Sequence, residues 1–413
     1  MSDRPGVVVI GAGFGGLAAC EALASVDVDV VLVDRHNYNT FQPLLYQVAT
    51  AGLEPGDIAY PVRAYARTHP RFRFRQDVVT DVDLAGRRVS FAEGPPITYD
   101  YLVLAAGAGT NYFGVAGAQE HARAIYTMED AVAVRDAVTS SLERVAAHGA
   151  REGELTVVIV GGGPTGVEMA GALAELREMQ FATQYRDLDA AGSRILLVEM
   201  QDRLLGAFHP TLSAYARRAL EVRGVEVRCG ESVKEIHAES VLLGCGEVVP
   251  CGLVIWAAGV GPCALTEVLD LPKMHGRVEV GSDLRVVGRD EVFVVGDMAA
   301  RRSGTSDRLL PQLAQPAIQQ GRHAGRQIGR LLAGEPLVPF SYKDKGIMAT
   351  IGRKAAVAEL PNGIRLHATP AWFAWLGLHI VFLLGVRNRA SVLLNWAWRY
   401  VSWRRGSRVI AGG

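Results

Sequence analysis

The chain of 413 residues is short of several things, and each shortage removes a class of explanation. It has no net charge, with 43 Lys and Arg against 43 Asp and Glu, so no global field draws it to nucleic acid. Its five cysteines (Cys20, Cys229, Cys245, Cys251, Cys263) are odd in number and contain no Cys-x-x-Cys pair. That excludes a disulfide scaffold and fits a reducing compartment. The ten histidines show no metal-ligand spacing beside an acid, so no metal is expected. No apolar run reaches the roughly 20 residues of a bilayer-spanning helix. The opening Met1-Ser2-Asp3-Arg4-Pro5 lacks the basic-then-apolar pattern of a signal peptide, which makes a cytoplasmic protein the expectation. Acid is missing altogether beyond Glu359, while Arg365, Arg387, Arg389, Arg399, Arg404, Arg405 and Arg408 follow.

What is present begins with glycine. The chain has 46, more than average usage predicts, and at this length two or three domains are expected. Val7-Val8-Val9-Ile10 reads as a buried parallel strand. Gly11-Ala12-Gly13-Phe14-Gly15-Gly16 then lets the backbone turn tightly and approach a pyrophosphate, and Leu17 to Ala24 continues as a helix. The start of that helix offers unpaired N–H groups to phosphate. A second apolar run from Val28 to Val33 ends at Asp34, where a carboxylate can accept bonds from a ribose diol. Strand, glycines, helix, strand and acid together predict a dinucleotide site.

Strands are expected over Arg71 to Gln76, Asp77 to Asp83 and Arg88 to Phe91, with a hairpin at Ala85-Gly86. Tyr101 to Leu104 is a buried strand ending in Ala105-Ala106-Gly107, and Thr127 to Ala147 is a helix capped by Thr127. The opening theme then returns. Thr156 to Val160 is a strand, Gly161-Gly162-Gly163-Pro164-Thr165-Gly166 a second glycine turn, and Val167 to Met179 a helix. The next strand, Arg194 to Val198, ends at Glu199, and Leu253 to Gly259 repeats the small-residue ending at Ala257-Ala258-Gly259. Two such units imply two dinucleotides. Val292 to Val295 is a further buried strand, closing on Gly296-Asp297.

The tail from Leu360 on is of another kind, holding five of the six tryptophans. Trp372 to Val386 and Ser391 to Trp403 read as two helices separated by Arg387-Asn388-Arg389, with Val392, Trp396, Tyr400 and Trp403 on one face. Aromatic, aliphatic and basic residues without acid suit a membrane interface. A dimer interface or a core helix is the alternative.

The chain resembles the type II NADH:quinone oxidoreductases, single-subunit, non-proton-pumping respiratory dehydrogenases within the two-dinucleotide-binding-domain flavoproteins. The resemblance runs over nearly the whole sequence. It is carried by Phe41-Gln42-Pro43-Leu44-Leu45-Tyr46-Gln47-Val48-Ala49-Thr50, Gly161 to Glu168, Val294 to Asp297, Ala314 to Gly321, Tyr342 to Gly346 and Ile351-Gly352-Arg353. It implies an α/β fold of two Rossmann-like dinucleotide-binding domains, glutathione-reductase-like, with a C-terminal helical membrane-anchoring segment. The implied divisions are a FAD-binding domain in two parts (1–125 and 291–335), an NADH-binding domain (126–290) and a C-terminal domain (336–413). Gly11, Gly13, Gly16, Asp34, Arg35, Ala106, Gly107, Gly296, Asp297 and Gln315 would hold FAD. Gly161, Gly163, Gly166, Glu199, Ala258 and Gly259 would hold NADH, and the Glu199 carboxylate argues against the 2′-phosphate of NADPH, with Arg203 nearby in sequence as a reservation.

The resemblance further implies hydride transfer from NADH to FAD and electron transfer on to a membrane quinone. Glu168 would lie beside the nicotinamide and relay protons or assist transfer; compensation of the helix dipole is its plainer role. Gln315 and Gln319 would bond quinone carbonyls, or else sit as polar-face residues of a helix. Lys345 is a weaker quinone-site residue. A peripheral protein on the cytoplasmic face of the cell membrane, as a homodimer joined near the tail, completes the expectation. The alternatives are a soluble NADH-dependent flavin reductase of a ferredoxin- or rubredoxin-type acceptor, and a redox-sensing protein that binds both nucleotides without turnover. The lack of a cysteine pair after the first glycine turn argues against disulfide reduction and sulfide oxidation.

Overall fold

Each glycine turn seeds its own parallel sheet. The computed structural model describes residues 4–186, 188, 192–304 and 308–402. It divides into a first unit, Met1–Asn39, Tyr60–Thr110 and Val260–Asp344, and a second, Thr40–Ala59, Asn111–Gly259 and Lys345–Gly413.

In the first unit the strand Gly6–Ile10 lies inside a six-stranded sheet, between Asp29–Asp34 and Tyr101–Leu104. Apolar side chains on consecutive positions are tolerated because both faces of this parallel strand are covered. Phe72–Gln76 extends the sheet on one side and Arg289–Val294 on the other, where Arg285–Val286 closes it as an antiparallel edge. The helix Phe14–Leu23 is covered by the helix Ala314–Leu332. Gly321, Gly325 and Gly329 make that approach close: a Cβ on Gly321 would stand 2.0 Å from the Gly15 carbonyl oxygen, and one on Gly325 2.7 Å from that of Ala19. Residues 260–290, expected in the NADH-binding domain, supply the strands Arg277–Glu279 and Arg285–Val286 to this unit instead.

The second unit holds a five-stranded parallel sheet in the order Ala122–Ala124, Leu253–Trp256, Thr156–Val160, Arg194–Glu199, Val225–Cys229. The helix Met128–His148 begins as expected at Thr127, whose hydroxyl accepts the Asp130 amide while Asp130 accepts that of Thr127, a reciprocal cap. The helix Pro164–Thr183 starts earlier and runs longer than Val167 to Met179. Its Gly171 lets the strand Ile347–Gly352 cross, since a Cβ there would meet the Ile351 carbonyl oxygen at 2.1 Å. Glu175 accepts the Arg353 amide and Arg223 donates to the Arg353 carbonyl, so Ile351-Gly352-Arg353 is seated on this helix.

The chain finishes the second unit with an antiparallel sheet, Ile347–Gly352, Ala355–Glu359 and Arg365–His367, and the helices Ala368–Phe382 and Val386–Ser402. The break between these helices falls at Leu383-Leu384-Gly385, with Gly385 at φ 81°, not at Arg387-Asn388-Arg389. Those three residues lie within the second helix, and Arg389 donates to the Val381 and Leu383 carbonyls at the end of the first. Of the expected face, Val392 and Trp396 share the buried side of the helix, while Leu393, Leu394 and Trp398 lie elsewhere on it and are exposed. Trp403, Arg404, Arg405 and Arg408 lie outside the described residues, as do the side chains of Arg399 and Tyr400. Among the described residues no helix is long and apolar enough to cross a membrane.

A Cβ on Gly16 would stand 1.8 Å from the Gly11 carbonyl oxygen, whereas one on Gly13 meets nothing within 4 Å. Gly16→Ala should therefore destabilise the chain by about 1–3 kcal/mol through overpacking. Gly13→Ala should stay within about 0.5 kcal/mol of wild type, as an unobstructed surface substitution does. Urea midpoints of the two variants check the contrast.

Candidate functional site

In the first unit Gly11 stands at φ 104°, and its amide donates to the Val33 carbonyl at 2.7 Å. Any Cβ at Gly11 would collide with the Ala105 carbonyl at 2.3 Å, so this turn and the small-residue ending Ala105-Ala106-Gly107 press together. Asp34 holds the loop from below. One carboxylate oxygen accepts the Ala12 amide at 2.6 Å and the other the His36 amide at 2.8 Å. Asn39, which the sequence did not single out, donates to the Ala12 carbonyl at 2.7 Å. Gly13 opens the helix Phe14–Leu23 with clear space before it. An open, amide-lined helix start above an anchored acid fits a dinucleotide pyrophosphate and ribose. Arg35 is exposed beside the acid, its guanidinium donating to His36.

Gly296 and Asp297 lie in a short turn after the strand Arg289–Val294. The Gly296 amide donates to the side chain of Gln320, a buried residue also missed by the sequence reading. The Ala106 amide meets the Met298 sulfur at 3.1 Å, which brings the two small-residue endings of this unit together. Arg277 is buried with its Nε unpartnered, while its other nitrogens donate to the Leu310 and Ala299 carbonyls. Gln315 sits part-buried in the first turn of the helix Ala314–Leu332. Gln319 is spoken for, donating to the Lys343 carbonyl at 2.9 Å and accepting its amide at 3.0 Å.

The second unit repeats the turn almost bond for bond. Gly161 stands at φ 106° and its amide donates to the Val198 carbonyl at 2.8 Å. Glu199 accepts the Gly162 amide at 2.5 Å on one oxygen and the Gln201 amide at 2.7 Å on the other. Gly166 packs against the Gly161 carbonyl, and Gly163 opens the helix with nothing within 4 Å of a Cβ. Arg203 is turned away, donating to the Gly206 carbonyl at 3.0 Å. Ala258-Gly259 follows the strand Leu253–Trp256, and the exposed ring of Phe113 lies so close that a Cβ on Gly259 would meet it at 2.8 Å. Lys345 is exposed in the segment before the strand Ile347–Gly352.

Glu168 lies in the helix Pro164–Thr183 one residue beyond its first turn, so dipole compensation is not its part. Burial pushes its carboxyl up to about 8, against smaller opposing effects of the Thr350 amide and the Trp375 indole. The Thr350 amide donates at 3.3 Å, and Trp375 Nε1 is buried without a hydrogen bond of good geometry. Trp375 stacks on His379 with ring centres 3.9 Å apart, meets Tyr46 edge-on at 6.2 Å and lies tilted against Trp396 at 6.0 Å. Burial drives His379 down to about 4, so it is neutral, its Nδ1 bonding the Trp375 carbonyl at 2.7 Å. A proton-holding carboxyl thus stands at an aromatic wall, and it is the strongly perturbed acid of the second glycine helix. Cys20, on the first glycine helix, is buried and pushed up to about 12, so it stays a thiol.

The family model of the pyridine nucleotide-disulphide oxidoreductases matches residues 5–321. The chain is 36% identical to the type II NADH:quinone oxidoreductase Ndh of Mycobacterium tuberculosis, over 98% of this chain and 90% of that protein. It belongs to the type II NADH:quinone oxidoreductases. It is also 30% identical to the mitochondrial internal alternative NAD(P)H-ubiquinone oxidoreductase A1 of Solanum tuberosum, over 98% of this chain and 88% of that protein. The fold is that of NDH2 from Plasmodium falciparum in complex with NADH, at a TM-score of 0.90 and 20% identity over 98% of this chain and 100% of the other. A ferredoxin reductase from Rhodopseudomonas palustris follows at a TM-score of 0.69, over 86% and 83% of the two chains.

The folded chain keeps the Glu168 proton up to about pH 8, whereas the ordinary glutamate value is 4.5. The unfolded chain therefore binds fewer protons than the folded one between those values, and stability falls as pH rises across that window. Glu168→Gln, neutral at every pH, should flatten this part of the stability–pH curve, as chemical denaturation at pH 5, 6.5 and 8 will measure.

Proposed function

We propose that this chain oxidises NADH and passes the two electrons through FAD to a quinone, without moving protons across a membrane. The observation that carries the reading is the doubled turn: two glycine loops in separate units, each with its acid fixed by a loop amide, in a chain of this family. One loop suits a resident flavin nucleotide and the other a nicotinamide nucleotide that comes and goes. Overall, NADH and a proton are consumed, and the quinone leaves as quinol.

In this reading Gly11, Gly13, Gly16 and Asp34 bind the FAD pyrophosphate and ribose, with Arg35, Ala106, Gly107, Gly296, Asp297 and Gln315 along the rest of the nucleotide. Bound FAD supplies the two-electron carrier between a hydride donor and a quinone. Gly161, Gly163 and Gly166 hold NADH against the helix start, flanked by Ala258 and Gly259. The Glu199 carboxylate takes the adenosine ribose and repels a 2′-phosphate, while Arg203 gives one of its N–H donors to the Gly206 carbonyl. Glu168 keeps a proton on its carboxyl at neutral pH and is the residue placed to hold or give it during turnover. Gln315 offers its amide to a quinone carbonyl. Gln319 has its amide engaged by Lys343 and serves as a support of that site. Lys345 is the weaker quinone-site residue of this reading.

The tail fits attachment to a membrane surface, as a peripheral protein on the cytoplasmic face, where a lipid-dissolved quinone arrives. Phe373, Val381, Val386, Leu394 and Trp398 are exposed on the two terminal helices, interleaved with arginines and without acid. Pairing of two chains through the tail region belongs to the same reading.

Steady-state NADH oxidation by the FAD-loaded protein with a short-chain quinone tests the proposal. Rapid turnover in the full chain and in a variant carrying Leu393→Gln, Leu394→Gln and Trp398→Gln on the exposed face, with vesicle binding lost only in the variant, is the expected result. Flavin bleaching by NADH without quinone turnover would overturn it and point to a protein acceptor. A second measurement concerns Glu199→Gln. Loss of the carboxylate should shift the ratio of kcat/KM for NADH over NADPH towards NADPH by about tenfold, as removal of a like-charge repulsion does.

A further inference from the structure

The last described helix, Val386–Ser402, is built inside out. Asn388, Ser391, Val392, Asn395 and Trp396 recur at i, i+3, i+4, i+7 and i+8 and face inward. Three of the five have amide or hydroxyl side chains, and a fourth is an indole whose N–H is itself bonded. Leu393 at 50%, Leu394 at 70% and Trp398 at 59% exposure lie on the outward side. A helix in water normally shows the reverse distribution.

Polar ties hold the inward face. Asp57, buried at the end of the short helix Pro55–Ile58, accepts the Ser391 hydroxyl at 2.5 Å on one carboxylate oxygen. Its other oxygen accepts the Asn395 amide at 2.8 Å and the Glu54 backbone amide at 2.9 Å. Asn388 donates to the Ala59 carbonyl at 2.8 Å. Trp396 Nε1 donates to the Gln47 side chain at 2.8 Å, and Gln47 in turn donates to the Tyr46 hydroxyl at 2.8 Å. Among the described residues no basic side chain pairs with Asp57, so neutral donors carry its solvation. The segment Leu45–Ile58 and the terminal helix are thus held in one register by hydrogen bonds around a single carboxylate.

We propose that Asp57 is a positioning residue for quinone reduction: its carboxylate fixes which face of the terminal helix looks inward and keeps Trp396, Gln47 and Tyr46 in one hydrogen-bonded line. The proposal rests on the quinone reading above. An apolar outward face cannot set the orientation of the helix, because burial against protein and contact with lipid are both favourable for it. Directional bonds set it instead, the registry use of a buried polar group. A quinone that comes from lipid must pass the terminal helices, so their position bears on its entry, while a small water-soluble acceptor does not depend on it.

The test uses full-length FAD-loaded protein on phosphatidylcholine–phosphatidylglycerol vesicles containing a long-chain quinone, with ferricyanide as a water-soluble acceptor. Asp57→Ala should raise KM for the vesicle quinone on the order of tenfold, the scale of one lost charge-assisted hydrogen bond. NADH:ferricyanide kcat and flavin content should stay at wild-type values. Ser391→Ala with Asn395→Leu removes both helix donors while leaving Asp57 and its Glu54 bond in place, and should raise the quinone KM in the same way. Parallel loss of both activities in Asp57→Ala, or no change in either, overturns the proposal. Should Asp57→Ala fail to fold, Ser391→Ala with Asn395→Leu decides: a raised quinone KM with unchanged ferricyanide kcat supports the proposal and a wild-type KM overturns it. Wild-type protein that reduces ferricyanide but no quinone would instead sink the underlying functional reading.

Discussion

Both glycine turns depend on a carboxylate that binds backbone before it binds anything else. Asp34 and Glu199 each take one amide from the loop above, Ala12 or Gly162, and one from two residues onward, His36 or Gln201. A loop that presents its amides to phosphate cannot satisfy them by itself, and it would sag or close without an outside acceptor. The acid supplies one acceptor and keeps lone pairs in reserve, since a carboxylate has about four acceptor sites. Its place is set by the sheet: Ile10 pairs with Val33 and Val160 with Val198, so the acid following each second strand arrives beneath the loop. Strand register, turn shape and the place of the acid are therefore one constraint, met twice in the chain.

Close backbone approach is the second demand, and only small residues meet it. Gly16 and Gly166 let each helix return over the start of its own turn, and Ala105 and Ala257 are where the neighbouring strand ends come nearest. In the first unit the demand extends outward through Gly321 and Gly325, which bring a second helix onto the first. That contact sets Gln320 against Gly296, so the turn carrying Asp297 takes its position from the packing of two helices some distance along the chain. A polar side chain 24 residues away thereby fixes this turn by its backbone amide.

The features legible in the sequence are those with a local period or a fixed spacing. Buried parallel strands show as unbroken β-branched runs, the turns as spaced glycines, and the acids by their position at the end of the next strand. Asn39 and Gln320 escaped because a side chain that bonds distant backbone leaves no periodic trace. Gln319 looked like its neighbour Gln315 until the Lys343 backbone was seen to occupy it. The break between the terminal helices was misplaced for a different reason. Arg387-Asn388-Arg389 resembles a polar interruption, yet arginine is a good helix former and here Arg389 bonds the last carbonyls of the preceding helix while Asn388 bonds inward. Gly385, with its positive φ, was the true punctuation.

The terminal helices bring a problem that hydrophobicity cannot solve. The helix Ala368–Phe382 is apolar nearly all round, so rotating it would exchange one oily face for another at little cost. Its rotation is marked by ring contacts to another segment, His379 meeting the Phe41 ring edge-on at 6.0 Å and Trp375 that of Tyr46 at 6.2 Å, while His379 bonds the Trp375 carbonyl within the helix. The imidazole can serve there only as a neutral ring, and burial keeps it so by pushing its pKa down to about 4. The next helix uses amides and a hydroxyl around Asp57 to the same end. Where outer surface and inner core are equally greasy, the few polar atoms carry the information about which side is in. The aromatic wall beside Glu168 inherits its geometry from that choice, and with it the burial that holds the Glu168 proton in place.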